Sequence, residues 1–158
     1  MADLSNPAQI KRYIEKGLRS LVDPEPTKEE RALAFAFFSH QCAYCGNSAD
    51  HLDHLLAESK RGANHVSNRA PACSDCNAKQ KRDLDWRDFL QLKCGAESAL
   101  LEIRRCKIEQ WIRDRGGLHA LPDETLRLLE DGHRQCAMEY DAARTLLKNA
   151  GRIVPREL

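Results

Sequence analysis

The chain has 158 residues, 42% of them apolar and 31% charged, and a formal net charge of +1. That length suits one domain, or one small domain with helical extensions, with enough apolar residues for a core and much solvated helix surface. It excludes a protein that holds nucleic acid by bulk charge, because phosphate neutralisation supplies most non-specific affinity; any such contact must come from a local patch, a metal ion or a partner.

Residues 1–22 predict an amphipathic helix: Ile10, Tyr13, Ile14, Leu18 and Leu21 fall at helical spacing behind Asn6-Pro7. The opening MADLSNPAQIKRY lacks the apolar run of a secretion signal, and no stretch reaches membrane-spanning length. The expectation is a cytoplasmic protein with no membrane contact. Asp23-Pro24-Glu25-Pro26 is a stiff break, since each proline pushes its predecessor out of helical geometry. Thr27 to Glu30 forms a capping box, which starts a second helix carrying Leu33, Phe35, Phe37 and Phe38. This most apolar stretch is expected to lie under whatever Cys42 and Cys45 build.

Around those cysteines a tight knuckle is expected, with Gly46 supplying the freedom to turn. Residues 50–56 alternate as a short strand, 58–64 form a polar loop around Gly62, and 65–70 read as a second strand ending at Pro71. A helix follows from Ser74. Asp85 then caps a helix bearing Trp86, Phe89 and Leu90 and stopped by Gly95. Leu100, Leu101, Ile108, Trp111 and Ile112 mark a longer helix ending at Gly116-Gly117, and Pro122 opens a last helix with Gly151 beyond its end. The tail GRIVPREL reads as a frayed terminus. The fold class is therefore mainly α with a small α+β core. Three segments are expected, 1–39, 40–94 and 95–158, packed as one compact unit.

Cys42/Cys45 and Cys73/Cys76 are Cys-x-x-Cys pairs, and in a reducing cytosol such pairs are metal ligands rather than disulfides. Two knuckles close a tetrahedral four-thiolate zinc site with no open position, so the zinc is structural and supplies folding energy that the polar segment between them lacks. Cys94, Cys106 and Cys136 are expected to be buried structural thiols.

The zinc does not account for the polar residues between the pairs. Hydrolysis of a phosphodiester needs a general base for water, to which imidazole is suited near neutral pH, and a cation for the developing charge. Neighbouring strand residues point to opposite faces, so Asp53 and His54 can divide these two tasks. Asn77, just after the last paired cysteine, is placed to bring a second oxygen ligand towards Asp53.

The segment resembles the HNH endonucleases, whose ββα-metal motif is often pinned by two such knuckles. The resemblance is carried by Asp53-His54, the loop Ser59-Lys60-Arg61-Gly62, the step Ser67-Asn68, and Asn77 in the place of the family's final histidine or asparagine. It implies an ββα-metal motif flanked by helices on both sides, His54 as general base, and Asp53 and Asn77 as ligands of a catalytic Mg²⁺ or Mn²⁺. It further implies that Asn68 fixes the loop and orients His54. The family's proline three residues after the strand histidine is Ala57 here, and its lysine three residues after the helix ligand is Gln80, flanked by Lys79 and Lys81.

Lys60, Arg61, Arg69, Lys79 and Lys81 give the motif a modest positive balance and are the expected substrate contacts. Arg104, Arg105 and Lys107 read as a solvated helix face. The functional expectation is a metal-dependent endonuclease, an HNH hydrolase acting on double-stranded DNA rather than RNA. The near-neutral charge and long flanks suit the nuclease subunit of a phage-defence or restriction system, with a protein partner or self-association. A non-catalytic zinc module binding nucleic acid or protein is the alternative.

Overall fold

A computed structural model describes residues 6–151; the reading of the GRIVPREL tail lies outside the described residues save for Gly151, which closes the last helix instead of lying beyond it. In chain order the elements are α1 (Pro7–Val22), α2 (Lys28–Phe37), β1 (His51–His54), β2 (Arg69–Ala72), a π-helix (Asp75–Lys81), α3 (Trp86–Cys94), α4 (Ala99–Asp114) and α5 (Asp123–Gly151). Helices thus flank a small two-stranded sheet, the mainly α architecture with an α+β core that the sequence predicts.

Contacts group the chain into two compact units. One spans Asp23–Leu121; the other joins the N-terminal helix to the residues after Leu121. This grouping differs from segments bounded at 39/40 and 94/95, for a physical reason. The aromatic residues of α2, α3 and α4 are spent on the knuckles and the sheet, so those helices belong to the same core.

In the Asp23–Leu121 unit, Thr27 caps α2 through a reciprocal box with Glu30, as its spacing predicts. Phe38 and Trp111 meet edge-on at 5.7 Å, and Tyr44 meets Phe89 at 5.0 Å, in a core that also buries Trp86, Leu90 and Ile108 completely. Trp111 Nε1 donates to the Val66 carbonyl at 3.2 Å, tying α4 to the turn before β2.

β1 and β2 pair antiparallel, with Asp53 opposite Ala70 and His54 opposite Arg69. β2 starts later than the sequence suggests and runs through Pro71. Residues Val66–Asn68 form a 3₁₀ turn instead, because the His65 side chain accepts from the Ser67 backbone and favours a turn over a ladder. Pro71 is tolerated in the strand because that residue faces away from β1. Its carbonyl accepts from Ala43 N at 2.8 Å on the outer side, so the missing N–H removes no bond to β1.

In the second unit α1 packs on α5, with Lys11 Nζ paired to Asp141 at 2.6 Å. No helix among the described residues is long and apolar enough to cross a membrane.

Candidate metal centre and catalytic constellation

The first knuckle folds back on itself. Cys42 N donates to the Asn47 carbonyl at 2.7 Å and Gly46 N to that of Cys42 at 2.9 Å, with Gly46 at φ +82° as the turn requires. The second knuckle leads from the end of β2 into the π-helix. Their four sulfurs lie within 4.8 Å of one another, and those of Cys45 and Cys73 are 3.6 Å apart. A tetrahedron with bonds of about 2.3 Å has edges of about 3.8 Å, so the donor set fits zinc in both chemistry and size. Burial and the charge of Cys42 push the Cys76 thiol far up, and burial pushes Cys45 up as well. Four thiolates in this space call for a cation, whose charge reverses that penalty. Among the described residues no further histidine, cysteine or carboxylate joins the four sulfurs.

Arg104 braces the first knuckle: its Nη1 donates to the Tyr44 carbonyl and lies 3.5 Å from Cys94 Sγ. The expectation of a solvated face for this residue is corrected, since a main-chain carbonyl of the knuckle needs a donor. Cys106 is exposed and Cys94 and Cys136 half-buried, so burial of all three thiols is corrected too.

Asp53 is 6% exposed. Its Oδ2 accepts from the Tyr44 hydroxyl at 2.7 Å and pairs with Lys81 Nζ at 3.1 Å. Burial raises the Asp53 carboxyl above the ordinary carboxylate range, while Lys81 and Tyr44 pull it down. The Tyr44 phenol is held well above its usual value, by burial first and then by Asp53, so it remains a donor. Lys81 is 0% exposed and also donates to the His54 carbonyl at 2.6 Å. It cannot meet a substrate phosphate, which corrects its expected role. The π-helix explains its position. Hydrogen bonds reaching five residues back widen the turn by one residue, so Gln80 stays exposed and Lys81 takes the inward direction.

The His54 ring is half-buried and faces the loop that follows β1. Its Nε2 lies 2.9 Å from Asn64 Oδ1, and Arg69 Nη1 lies 2.6 Å from Nδ1 and 2.9 Å from Nε2. Arg69 is itself buried and pairs through Nη2 with Glu25. Its expected place at the surface as a substrate contact is therefore also corrected: it spans from Glu25 to the imidazole. Lys60, Arg61 and Lys79 are exposed; Lys79 pairs with Asp75 at 2.7 Å and Arg61 Nη2 donates to the Leu121 carbonyl at 3.0 Å.

Asn68 is fully buried and holds the loop from one side chain. Oδ1 accepts from Leu56 N at 2.7 Å, while Nδ2 donates to the carbonyls of Leu56 at 3.0 Å and Ala63 at 2.8 Å. Gly62 must lack a Cβ here, since one would fall 1.9 Å from the Leu56 carbonyl oxygen. Asn77 is half-buried in the first turn of the π-helix, its backbone N donating to Cys73 at 3.0 Å. The residue that touches the ring from the loop is Asn64, which the sequence reading passed over. Its only signal is a position two residues after a glycine whose backbone is tightly confined.

Residues 42–83 match the family model for HNH endonucleases. No curated protein and no solved structure matches the chain. The matched residues enclose the cysteine cluster, β1, β2 and the π-helix, and the match supports a nuclease with nucleic acid as its substrate class.

Proposed function

With residues 42–83 an HNH endonuclease segment, we propose that this chain hydrolyses phosphodiester bonds of double-stranded DNA, with His54 as the general base. The observation that carries the proposal is the division of labour at the end of β1. Asp53 turns into the buried side, held by Tyr44 and Lys81, while the next residue presents its imidazole to the loop. A carboxylate and an imidazole on adjacent residues thereby serve different atoms of one reaction.

The residues present suit a hard divalent cation. Both hydrogen bonds to Asp53 go to Oδ2, which leaves Oδ1 for a metal, and Asn77 offers an amide oxygen of the type Mg²⁺ and Mn²⁺ take. Such an ion would supply charge stabilisation at the phosphoryl and leaving oxygens. His54 accepts the proton of the attacking water, and Asn68 keeps the loop closed around the imidazole by fixing Leu56 and Ala63. The exposed Lys60 and Arg61 lie on the rim of the loop, where phosphates would approach. With a net charge of +1, the chain is suited to work beside a partner that brings the DNA, as the nuclease subunit of a defence or restriction assembly.

One observation favours a second reading, a zinc module without catalysis: the Lys81 ammonium already neutralises Asp53. Plasmid cutting by zinc-loaded protein with Mg²⁺ or Mn²⁺, next to His54→Ala, separates the two. Nuclease action predicts cutting that needs the added ion and falls by about 10²- to 10⁴-fold in His54→Ala. Equal cutting by both proteins rejects His54 as the base, and no cutting of DNA or RNA by either favours the binding module.

A further inference from the structure

The stiff break between α1 and α2 has a use that the matched segment does not contain. Asp23 and Glu25, separated by Pro24, each hold a side chain that touches His54. Asp23 Oδ1 accepts from Asn64 N at 2.8 Å, and the Asp23 carbonyl accepts from Asn64 Nδ2 at 2.8 Å. Glu25 holds Arg69. Asp23 and Asn64 are both nearly buried, at 5% and 6% exposure, so these bonds form out of competition with water.

The amide of Asn64 has only one orientation that fits. A backbone carbonyl can only accept, so the atom facing Asp23 O is the Nδ2 donor and the atom facing His54 is the Oδ1 acceptor. The nitrogen at 2.9 Å from Oδ1, Nε2, must then carry the proton. Arg69 Nη1 lies within reach of both ring nitrogens, 2.6 Å from Nδ1 and 2.9 Å from Nε2, so the guanidinium does not by itself choose between them. The selection of the tautomer therefore comes from the Asn64 amide.

We propose that Asn64, locked by Asp23, is a positioning residue that fixes the His54 ring with its proton on Nε2, leaving Nδ1 as the nitrogen that receives the proton of water. The proposal rests on His54 as the base and adds which of its nitrogens works and what sets it. The water that donates to Nδ1 takes the place that Arg69 Nη1 occupies in this structure. In the step, an O–H bond of water breaks, its proton joins the lone pair on Nδ1, and the hydroxide oxygen forms the new bond to phosphorus while the bond from phosphorus to the leaving oxygen breaks; that oxygen keeps the electron pair and takes a proton from solvent. The strap at residues 23–26 is thereby part of the machinery of a motif that begins only at residue 42.

The test uses the full zinc-loaded chain, ¹⁵N-labelled at histidine, at about pH 8 where an ordinary imidazole is neutral. Long-range ¹H–¹⁵N correlation of wild type should show His54 neutral and protonated at Nε2, and Asn64→Ala should show both tautomers in exchange. In plasmid cutting Asn64→Ala should lose about 10- to 100-fold in kcat, the range for groups that orient an active-site histidine, with KM held within about twofold. Asp23→Ala should loosen the same ring and serves where Asn64→Ala does not fold. A wild-type ring protonated at Nδ1 overturns the proposal without any variant, as does Asn64→Ala with an unchanged ring and rate. His54→Ala cutting at the wild-type rate would reject the base instead, and the resonances would still decide what Asn64 does to the ring.

Discussion

A single lysine makes the polar side of the motif foldable. Lys81 has no exposed surface, yet its ammonium reaches both the Asp53 carboxylate and the His54 carbonyl. Removing one member of a buried pair leaves an uncompensated charge, which costs about 3–5 kcal/mol. Lys81→Met should therefore destabilise the protein by that amount at neutral pH. The pH dependence has a definite sign. Burial already places the folded Asp53 carboxyl above its unfolded value, and losing Lys81 removes the main influence holding it down. The folded variant thus binds a proton at Asp53 that the unfolded chain does not, and stability rises as pH falls through the folded value. Urea denaturation of variant and wild type at about pH 7.5 and about pH 5 should show the deficit shrinking at the lower pH. An equal deficit at both would mean that Lys81 stabilises through packing alone.

At the scale of elements, the turn Val66–Asn68 positions the residue that closes the loop, and His65 caps it. His65 Nδ1 accepts from Ser67 N at 3.3 Å, and its ring meets that of His119 at 4.6 Å. Burial, then the neighbouring His119, lowers the His65 pKa. A base whose folded pKa lies below its unfolded value adds stability that is present above the unfolded value, about 6.5, and is lost as pH falls through the window below it. His65→Asn retains a capping acceptor that cannot titrate. Thermal melts between about pH 7.5 and about pH 5 should show a smaller loss in the variant than in wild type, and parallel losses would remove His65 from the account. The same element shows where sequence reading stops. Cysteine spacing, the capping box and the helix ends at Gly95 and Gly116-Gly117 are local chemistry, and each has its counterpart in the structure. The side-chain cap on the turn, the extra residue in the π-helix and the inward turn of Lys81 depend on partners distant in sequence. The places of Asn64 and Arg69 beside His54 are illegible for that reason: their anchors, Asp23 and Glu25, lie 41 and 44 residues away.

For the whole molecule, the deciding quantity is how the stability of the Asp23–Leu121 unit compares with what the metal supplies. Its sheet has two strands of four residues each, and a two-stranded sheet is marginal in water without further support. The support comes from α2, which packs on β2, from α4 against the turn before β2 with α3 beside it, and from the four sulfurs. Both knuckles attach to β2, one through Ala43 N on the Pro71 carbonyl and one by direct chain continuity into Cys73. Zinc in small four-ligand sites contributes roughly 10–16 kcal/mol, against a net stability of about 5–15 kcal/mol for a typical domain. The metal term thus equals or exceeds the margin, and removing it should unfold this unit cooperatively instead of softening one knuckle. Trp86, Trp111 and Tyr44 are all completely buried there, so their near-ultraviolet dichroism reports the event directly. Titration with a strong chelator should abolish that signal in step with the release of one zinc per chain, and restored zinc should return it. A metal-free protein that keeps its aromatic signal and melting temperature would show that helix packing alone holds the sheet, and the four sulfurs would then need another explanation.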